Sequence, residues 1–126
     1  MAIYQFNPQD NSIILEVHLK GRFTQHAHLV LDTGASLLVI PWKIATSLGL
    51  RIDPNHLIDT TTASTVESSP LTTIPQVSVL GKSIKNVECI IRDLPKEAGV
   101  DGLLGLSFLK NFKLTIDFKK GFLLLE

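Results

Sequence analysis

The residue best placed to do chemistry in this 126-residue sequence is Asp32, in the run Leu29-Val30-Leu31-Asp32-Thr33-Gly34-Ala35-Ser36-Leu37-Leu38-Val39-Ile40. One apolar segment enters the acidic tripeptide and another leaves it. A carboxylate between two such segments is costly unless it is hydrogen-bonded or functional. Asp-Thr-Gly is also ordinary turn composition and arises by chance in a chain this long on the order of a few per cent of the time. Its setting therefore carries more weight than the tripeptide itself. Gly34, lacking a Cβ, permits a tight loop whose backbone N–H groups approach the acid, and the Thr33 hydroxyl is able to bond across to a second backbone. The chemistry suited to such a cradle is general acid–base hydrolysis of a peptide. That reaction needs two acids in different protonation states sharing one water, because like charges at close range do not both ionise.

The chain has one Asp-Thr-Gly. The second acid has two possible sources, Asp101 in Val100-Asp101-Gly102-Leu103-Leu104-Gly105 or Asp32 of another chain. An isologous two-fold places the same residue of each subunit on the axis, so one motif near that axis becomes a matched pair. Asp101 lacks the following Thr-Gly and is assigned a structural turn or capping role. His26 and His28 share one strand face with no third ligand evident nearby, so neither a metal site nor a cofactor is expected. Cys89 lies in the apolar stretch 87–91 and is expected to pack as a small apolar residue, with no partner base to make it a nucleophile.

Several elements must position these residues. Residues 13–19 alternate, with Ile13, Leu15, Val17 and Leu19 on one face and Glu16 and His18 on the other, which is the period of a half-buried strand. Gly21-Arg22 reads as a hairpin turn, and residues 23–31 resume strand spacing up to Asp32. Residues 37–40 form a short strand. A helix is expected over 41–48, with Pro41 in its first turn, Ile44, Ala45 and Leu48 on one face and Gly49 ending it.

The Thr/Ser-rich stretch 59–73 reads as a hairpin or mobile loop. Residues 77–80 and 87–91 read as strands, with a turn at Gly81-Lys82 after the first of them. Ser107 is placed to cap a second short helix that includes Phe112. Strands over 114–118 and 122–126, separated by a turn near Lys120-Gly121, complete a mainly β chain with one or two short helices. Strand, glycine loop and helix thus occur twice, around Gly34 and around Gly105, as a weak internal two-fold repeat. Phe122–Leu125 reads equally as an edge strand pairing with another chain or as an internal strand. Trp42 reads equally as an interface anchor or a partly buried helix start.

Twelve basic and twelve acidic residues cancel without runs of one sign, which argues against nucleic acid or an anionic membrane as the main partner. A lone cysteine allows no intrachain disulfide, and neither a signal-peptide pattern nor an apolar run of membrane-spanning length occurs. The expectation is one domain over residues 1–126, soluble and cytoplasmic, unless the chain is a fragment of a larger membrane-anchored or exported protein.

With Leu29 to Ser36 and Val100 to Gly105 in this order, the sequence resembles the single-domain, retroviral-type (retropepsin-like) aspartic proteases, including their bacterial relatives. The resemblance in organisation spans residues 13–126. It implies a closed, β-barrel-like subunit whose active site lies at a homodimer two-fold, with an extended peptide or protein substrate bound beneath mobile hairpin flaps. Carried over, Asp32 is the catalytic acid contributed by each subunit, and Thr33 and Gly34 hold the two loops together. Leu103-Leu104-Gly105 is the apolar element that packs behind the loop. Ala35 stands where two-lobed pepsin-like proteases usually carry Ser or Thr, which places the likeness nearer the retroviral branch. The flap falls at about 59–70, and Ala35 with Thr62, Ala63, Ser64 and Thr65 would contact substrate. Flaps of this family usually carry glycine near the tip, whereas Thr62-Ala63-Ser64 is followed here by Thr65, a stiffer residue that disfavours positive φ. Two functional classes follow, an aspartic endopeptidase or a catalytically inactive dimerisation or peptide-binding module on the same fold.

Overall fold

The structure, a computed structural model, describes residues 2–61 and 64–126. The described residues form ten strands in chain order: β1 (Ala2–Gln5), β2 (Ile14–Lys20), β3 (Thr24–Leu31), β4 (Leu38–Ile40), β5 (Leu57–Thr61), β6 (Val66–Val79), β7 (Lys82–Ile91), β8 (Gly102–Leu104), β9 (Leu114–Asp117) and β10 (Phe122–Leu125). Helix α1 (Trp42–Ser47) follows β4, helix α2 (Leu106–Leu109) follows β8, and a 3₁₀ turn spans Lys96–Ala98. The fold is mainly β, as its alternating segments predict.

Six strands close into a barrel in the order β2-β3-β8-β4-β7-β6, with β6 returning to pair with β2, and β5 extends the sheet beyond β6. The alternation in β2 sets its facing: Leu15, Val17 and Leu19 are buried while Glu16, His18 and Lys20 point outward. Inside the barrel these residues meet Ala27 and Leu29 of β3, Leu38 and Ile40 of β4, Ile74 and Val77 of β6 and Ile91 of β7, with the Phe108 ring from α2 fully buried among them. Cys89 belongs to this core. Burial pushes its thiol well above the ordinary range, so it stays neutral and inert, as a small apolar residue would.

The two halves of the barrel repeat one order of elements and pair with each other reciprocally. Hairpin β2–β3 leads through the Asp32 loop to β4 and α1, and hairpin β6–β7 leads to β8 and α2. The two halves interlock because β3 pairs in parallel with β8, β4 pairs in parallel with β7, and β4 and β8 meet antiparallel at Val39↔Leu103. The weak repeat in the sequence is therefore the topology of the barrel.

Some elements depart from their predicted form. Of the two readings of residues 59–73 the hairpin holds, because β5 pairs antiparallel with the first part of the 14-residue β6, which runs on through Pro70 and Pro75. Pro75 lacks an N–H, and the β6–β7 ladder skips it opposite Asn86, whose φ is 57°. The turn after β6 is centred on Leu80-Gly81, with φ of 51° and 79°, one residue earlier than expected and of the twist that suits a tight hairpin. Phe122–Leu125 is the middle strand of a separate sheet, β1-β10-β9, so of its two readings the internal strand holds. Trp42 opens α1 and is 43% exposed, its backbone N–H donating to Asp93 Oδ1 at 3.0 Å. No helix among the described residues is long and apolar enough to cross a membrane.

Candidate active site

Strand β3 delivers Asp32 to the edge of the barrel. The last pair of the parallel β3–β8 ladder is Leu31↔Leu104, and the Asp32 N–H donates to the Leu104 carbonyl at 3.1 Å, so the chain leaves the sheet at the carboxylate. The loop then folds back on itself. The Gly34 N–H donates to Asp32 Oδ1 at 2.9 Å, and the Ala35 N–H donates to the Asp32 carbonyl at 3.2 Å. A Cβ on Gly34 would stand 3.2 Å from that same Oδ1, so the missing side chain is what lets the backbone donor come so close to the acid. Asp32 is half-buried, whereas Thr33 and Gly34 are exposed at the loop's outer face. Among the described residues the Thr33 hydroxyl has no hydrogen-bond partner within the chain.

The loop is held from behind by the other half of the barrel. Leu106 N–H donates to the Ala35 carbonyl at 2.8 Å and Ser107 N–H to the Ser36 carbonyl at 2.9 Å. Gly105 packs so closely that a Cβ there would meet the Leu37 carbonyl at 2.3 Å, which explains the glycine that ends Leu103-Leu104-Gly105. Ser107 departs from its predicted role. Gly105 occupies the N-cap of α2, and the buried Ser107 hydroxyl instead accepts the Leu38 N–H at 3.0 Å and donates to the Glu88 carbonyl at 2.7 Å. It joins α2, β4 and β7 directly beneath the loop.

Across from the loop, β5 and β6 form an antiparallel hairpin from Leu57↔Pro70 to Thr61↔Val66. The loop at its tip includes Ser64 and Thr65, both exposed. Thr62 and Ala63, expected to contact substrate, lie outside the described residues. A cleft of about 520 Å³ separates hairpin and loop, lined by Asp32, Gly34 and Ala35 from the loop, by Ile58, Asp59 and Thr60 from the hairpin and by Ile90 and Leu103 from the barrel. Asp59 thus brings a second carboxylate to the cleft, with Oδ1 accepting the Ser68 hydroxyl across the hairpin.

Arg92 fastens the hairpin to the barrel. Its Nε donates to Ser69 Oγ at 3.1 Å and stands 3.1 Å from Glu67 Oε2, and its Nη2 donates to the Thr60 hydroxyl. The side chain is only 21% exposed, so these charge-assisted bonds are partly shielded from water. Arg92 also occupies the position equivalent to Asp32 in the other half. Its N–H donates to the Ile40 carbonyl at 2.9 Å just beyond the parallel pair Ile40↔Ile91, as that of Asp32 does beyond Leu31↔Leu104.

Asp101, weighed above as the partner acid, is absent from the cleft lining and clasps β3 from outside. Its Oδ2 accepts the His28 N–H at 2.8 Å, while its own N–H donates to the His28 carbonyl at 2.9 Å. Reading the sequence did not single out Asp59, Arg92 or the buried role of Ser107. Arg92 left one signal, a lone cation directly after an apolar strand as Asp32 is a lone anion after another. Asp59 and Ser107 left none, because their roles depend on partners nine and 19 or more residues away.

Comparison with known proteins agrees with this architecture. No curated protein matches the sequence. Among solved structures, a retropepsin-like aspartic protease from Rickettsia conorii is similar, with a TM-score of 0.70 and 25% identity over 97% of this chain and 96% of that one. Residues 15–108, which include the Asp32 loop, the hairpin and the glycine element behind the loop, match the aspartyl protease family, and the chain belongs to that family, with a retropepsin-like fold.

Proposed function

We propose that the protein is an aspartic endopeptidase that works as a homodimer, with Asp32 of each subunit sharing and activating the attacking water. One observation carries this reading: a single Asp32 sits in a backbone cradle, while the equivalent position in the chain's other half holds Arg92, so the second half does not complete the pair. The exposed Thr33 hydroxyl, and Leu106, 40% exposed beside the Ala35 carbonyl, leave polar and apolar groups around the loop for a second copy to cover. The β5–β6 hairpin serves as the flap, with Ser64 and Thr65 toward substrate and Ala35 on the opposite wall. One half of the pair acts as the base that takes a proton from water, while the other, protonated, polarises the scissile carbonyl.

The test is cleavage of a mixed peptide library by wild type and by Asp32→Asn, with sedimentation run in parallel. The Asn variant is expected to fold and associate normally yet lose activity by about 10²–10⁴-fold. Diluting wild type below its dimer dissociation constant is expected to lower specific activity. An Asn variant that cleaves as well as wild type, or full specific activity from a species that sediments as a monomer, sinks the reading. A folded dimer that binds peptides without cleaving any of them establishes the inactive-module alternative instead.

A further inference from the structure

Three of the chain's four histidines, His18, His26 and His28, lie on the outward face of the β2–β3 hairpin. His18 and His26 are directly opposed across the antiparallel ladder, their rings 4.0 Å apart between centroids. Glu16, two residues along β2 on the same face, reaches both: its Oε1 lies 3.4 Å from His18 Nε2 and 3.2 Å from His26 Nδ1. One ligand atom from each of the three side chains lies within 4.8 Å of the other two. Spacing along one strand pairs His26 with His28 and offers no third ligand, whereas the register brings His18 and Glu16 alongside His26 from the neighbouring strand.

We propose that Glu16, His18 and His26 form a binding site for a divalent transition-metal ion of the zinc class. Two imidazoles and one carboxylate match the ligand preference of such ions, while calcium and magnesium demand oxygen ligands throughout. The spacing fits as well. Bond lengths of about 2.0–2.1 Å in a tetrahedral zinc site put neighbouring ligand atoms roughly 3.3 Å apart, close to the two carboxylate–imidazole separations here. Beneath the cluster, Leu15, Val17, Leu19, Ala27 and Leu29 lock the hairpin into the core, so the backbone carrying the ligands is already in place and only exposed side chains need ordering. Three ligands leave a fourth position for water. The ion would staple β2 to β3 about 20 Å from Asp32, six residues along an extended strand, so it takes no part in the peptide chemistry.

The experiment is calorimetric titration of ZnCl₂ into tag-free, chelator-treated protein, with a thermal melt and, using Co²⁺ as the probe, a visible absorption spectrum. Wild type is expected to bind one ion per chain, to melt at a higher temperature with zinc, and to give the intense visible band of tetrahedral cobalt. His18→Asn and His26→Asn are each expected to weaken binding about tenfold or more, and Glu16→Gln by less. His56→Asn, remote in sequence on another segment, should bind as wild type does. All four changes are at exposed positions, so circular dichroism should show folded protein in each case. The proposal is overturned if folded His26→Asn binds zinc as tightly as wild type, if His56→Asn weakens binding equally, or if the stoichiometry is one ion per two chains.

Discussion

Asp32 and Arg92 occupy equivalent positions in the two halves of one barrel, yet they do opposite things. Each follows the last residue of a parallel strand pair and donates its N–H to the final carbonyl of the partner strand. Beyond that point the halves diverge. After Asp32 the chain turns at once through Thr33-Gly34 into β4, and the backbone folds around the carboxylate. After Arg92 nine residues, including a 3₁₀ turn, lead to β8, and the guanidinium holds the β5–β6 hairpin. The repeat supplies two equivalent exits from the sheet. The side chain at each exit, and the length of loop after it, decides whether that exit becomes a site for chemistry or an anchor for the element covering it.

The largest effect is expected where the halves interlock. A Cβ at Gly102 would lie 1.8 Å from the Val39 carbonyl, at the β4–β8 crossing. Gly102→Ala should force the two central strands apart and leave the protein unfolded or reduced to a loosely packed state, read by loss of near-UV circular dichroism. A well-folded Gly102→Ala protein would mean that the halves tolerate separation and that the tight crossing is not what fixes the loop.

A middle effect is expected at Ser107. Its hydroxyl satisfies the Leu38 N–H and the Glu88 carbonyl, both groups of backbone that the substitution cannot remove. Ser107→Ala should cost about 1–3 kcal/mol by leaving a buried donor unpaired. It should also lower kcat by loosening the loop that follows Asp32. Urea denaturation together with kinetics on one peptide substrate checks both. Loss of stability without any change in kcat would show that β8 and α2 support the barrel but not the catalytic loop.

The smallest effect on stability is expected at the hairpin, and there the comparison between Asp32 and its cleft neighbours is sharpest. Arg92→Ala should leave the barrel intact but speed amide hydrogen exchange in β5 and the first half of β6, and raise KM more than it lowers kcat. Asp59→Asn keeps an oxygen able to accept from Ser68 and should retain activity within a few-fold of wild type. If instead Asp59→Asn is as damaging as Asp32→Asn, the paired acids lie within one chain and the two-fold assembly is unnecessary for catalysis.

Much of the fold was legible because its strands carry their own pattern. The alternation of Leu15, Val17 and Leu19 in β2 and the short apolar run of β4 report local geometry, with a period of two on a surface buried on one side or both. Pro41 and Gly49 bounded α1 within a residue at each end, since proline as N-cap and glycine at positive φ act on the backbone where they stand. The Asp32 loop was legible for a similar reason: its acid, its glycine and the donor between them are neighbours in sequence.

What the sequence could not show depends on which distant residues meet. Strand β6 carries three Ser and two prolines among its 14 residues, which interrupt any strand pattern, and its full length rests on β7 and β2 pairing with it on either side and β5 pairing with its first part. The C-terminal strand left two readings open until β1 and β9 covered both of its edges. Ser107 looked like a helix cap and is a strut, and Asp59 and Arg92 reach the cleft only because the hairpin folds over it. The cluster of Glu16, His18 and His26 is the same case, because an antiparallel register sets residues eight and ten apart side by side. By itself, then, the sequence determined the strand pattern, the carboxylate and its cradle, since those rest on contacts between near neighbours. The tertiary structure alone decided how the two halves interlock, what fills the second half's equivalent of Asp32 and which polar groups converge, because each of those depends on long-range pairing that no local pattern encodes.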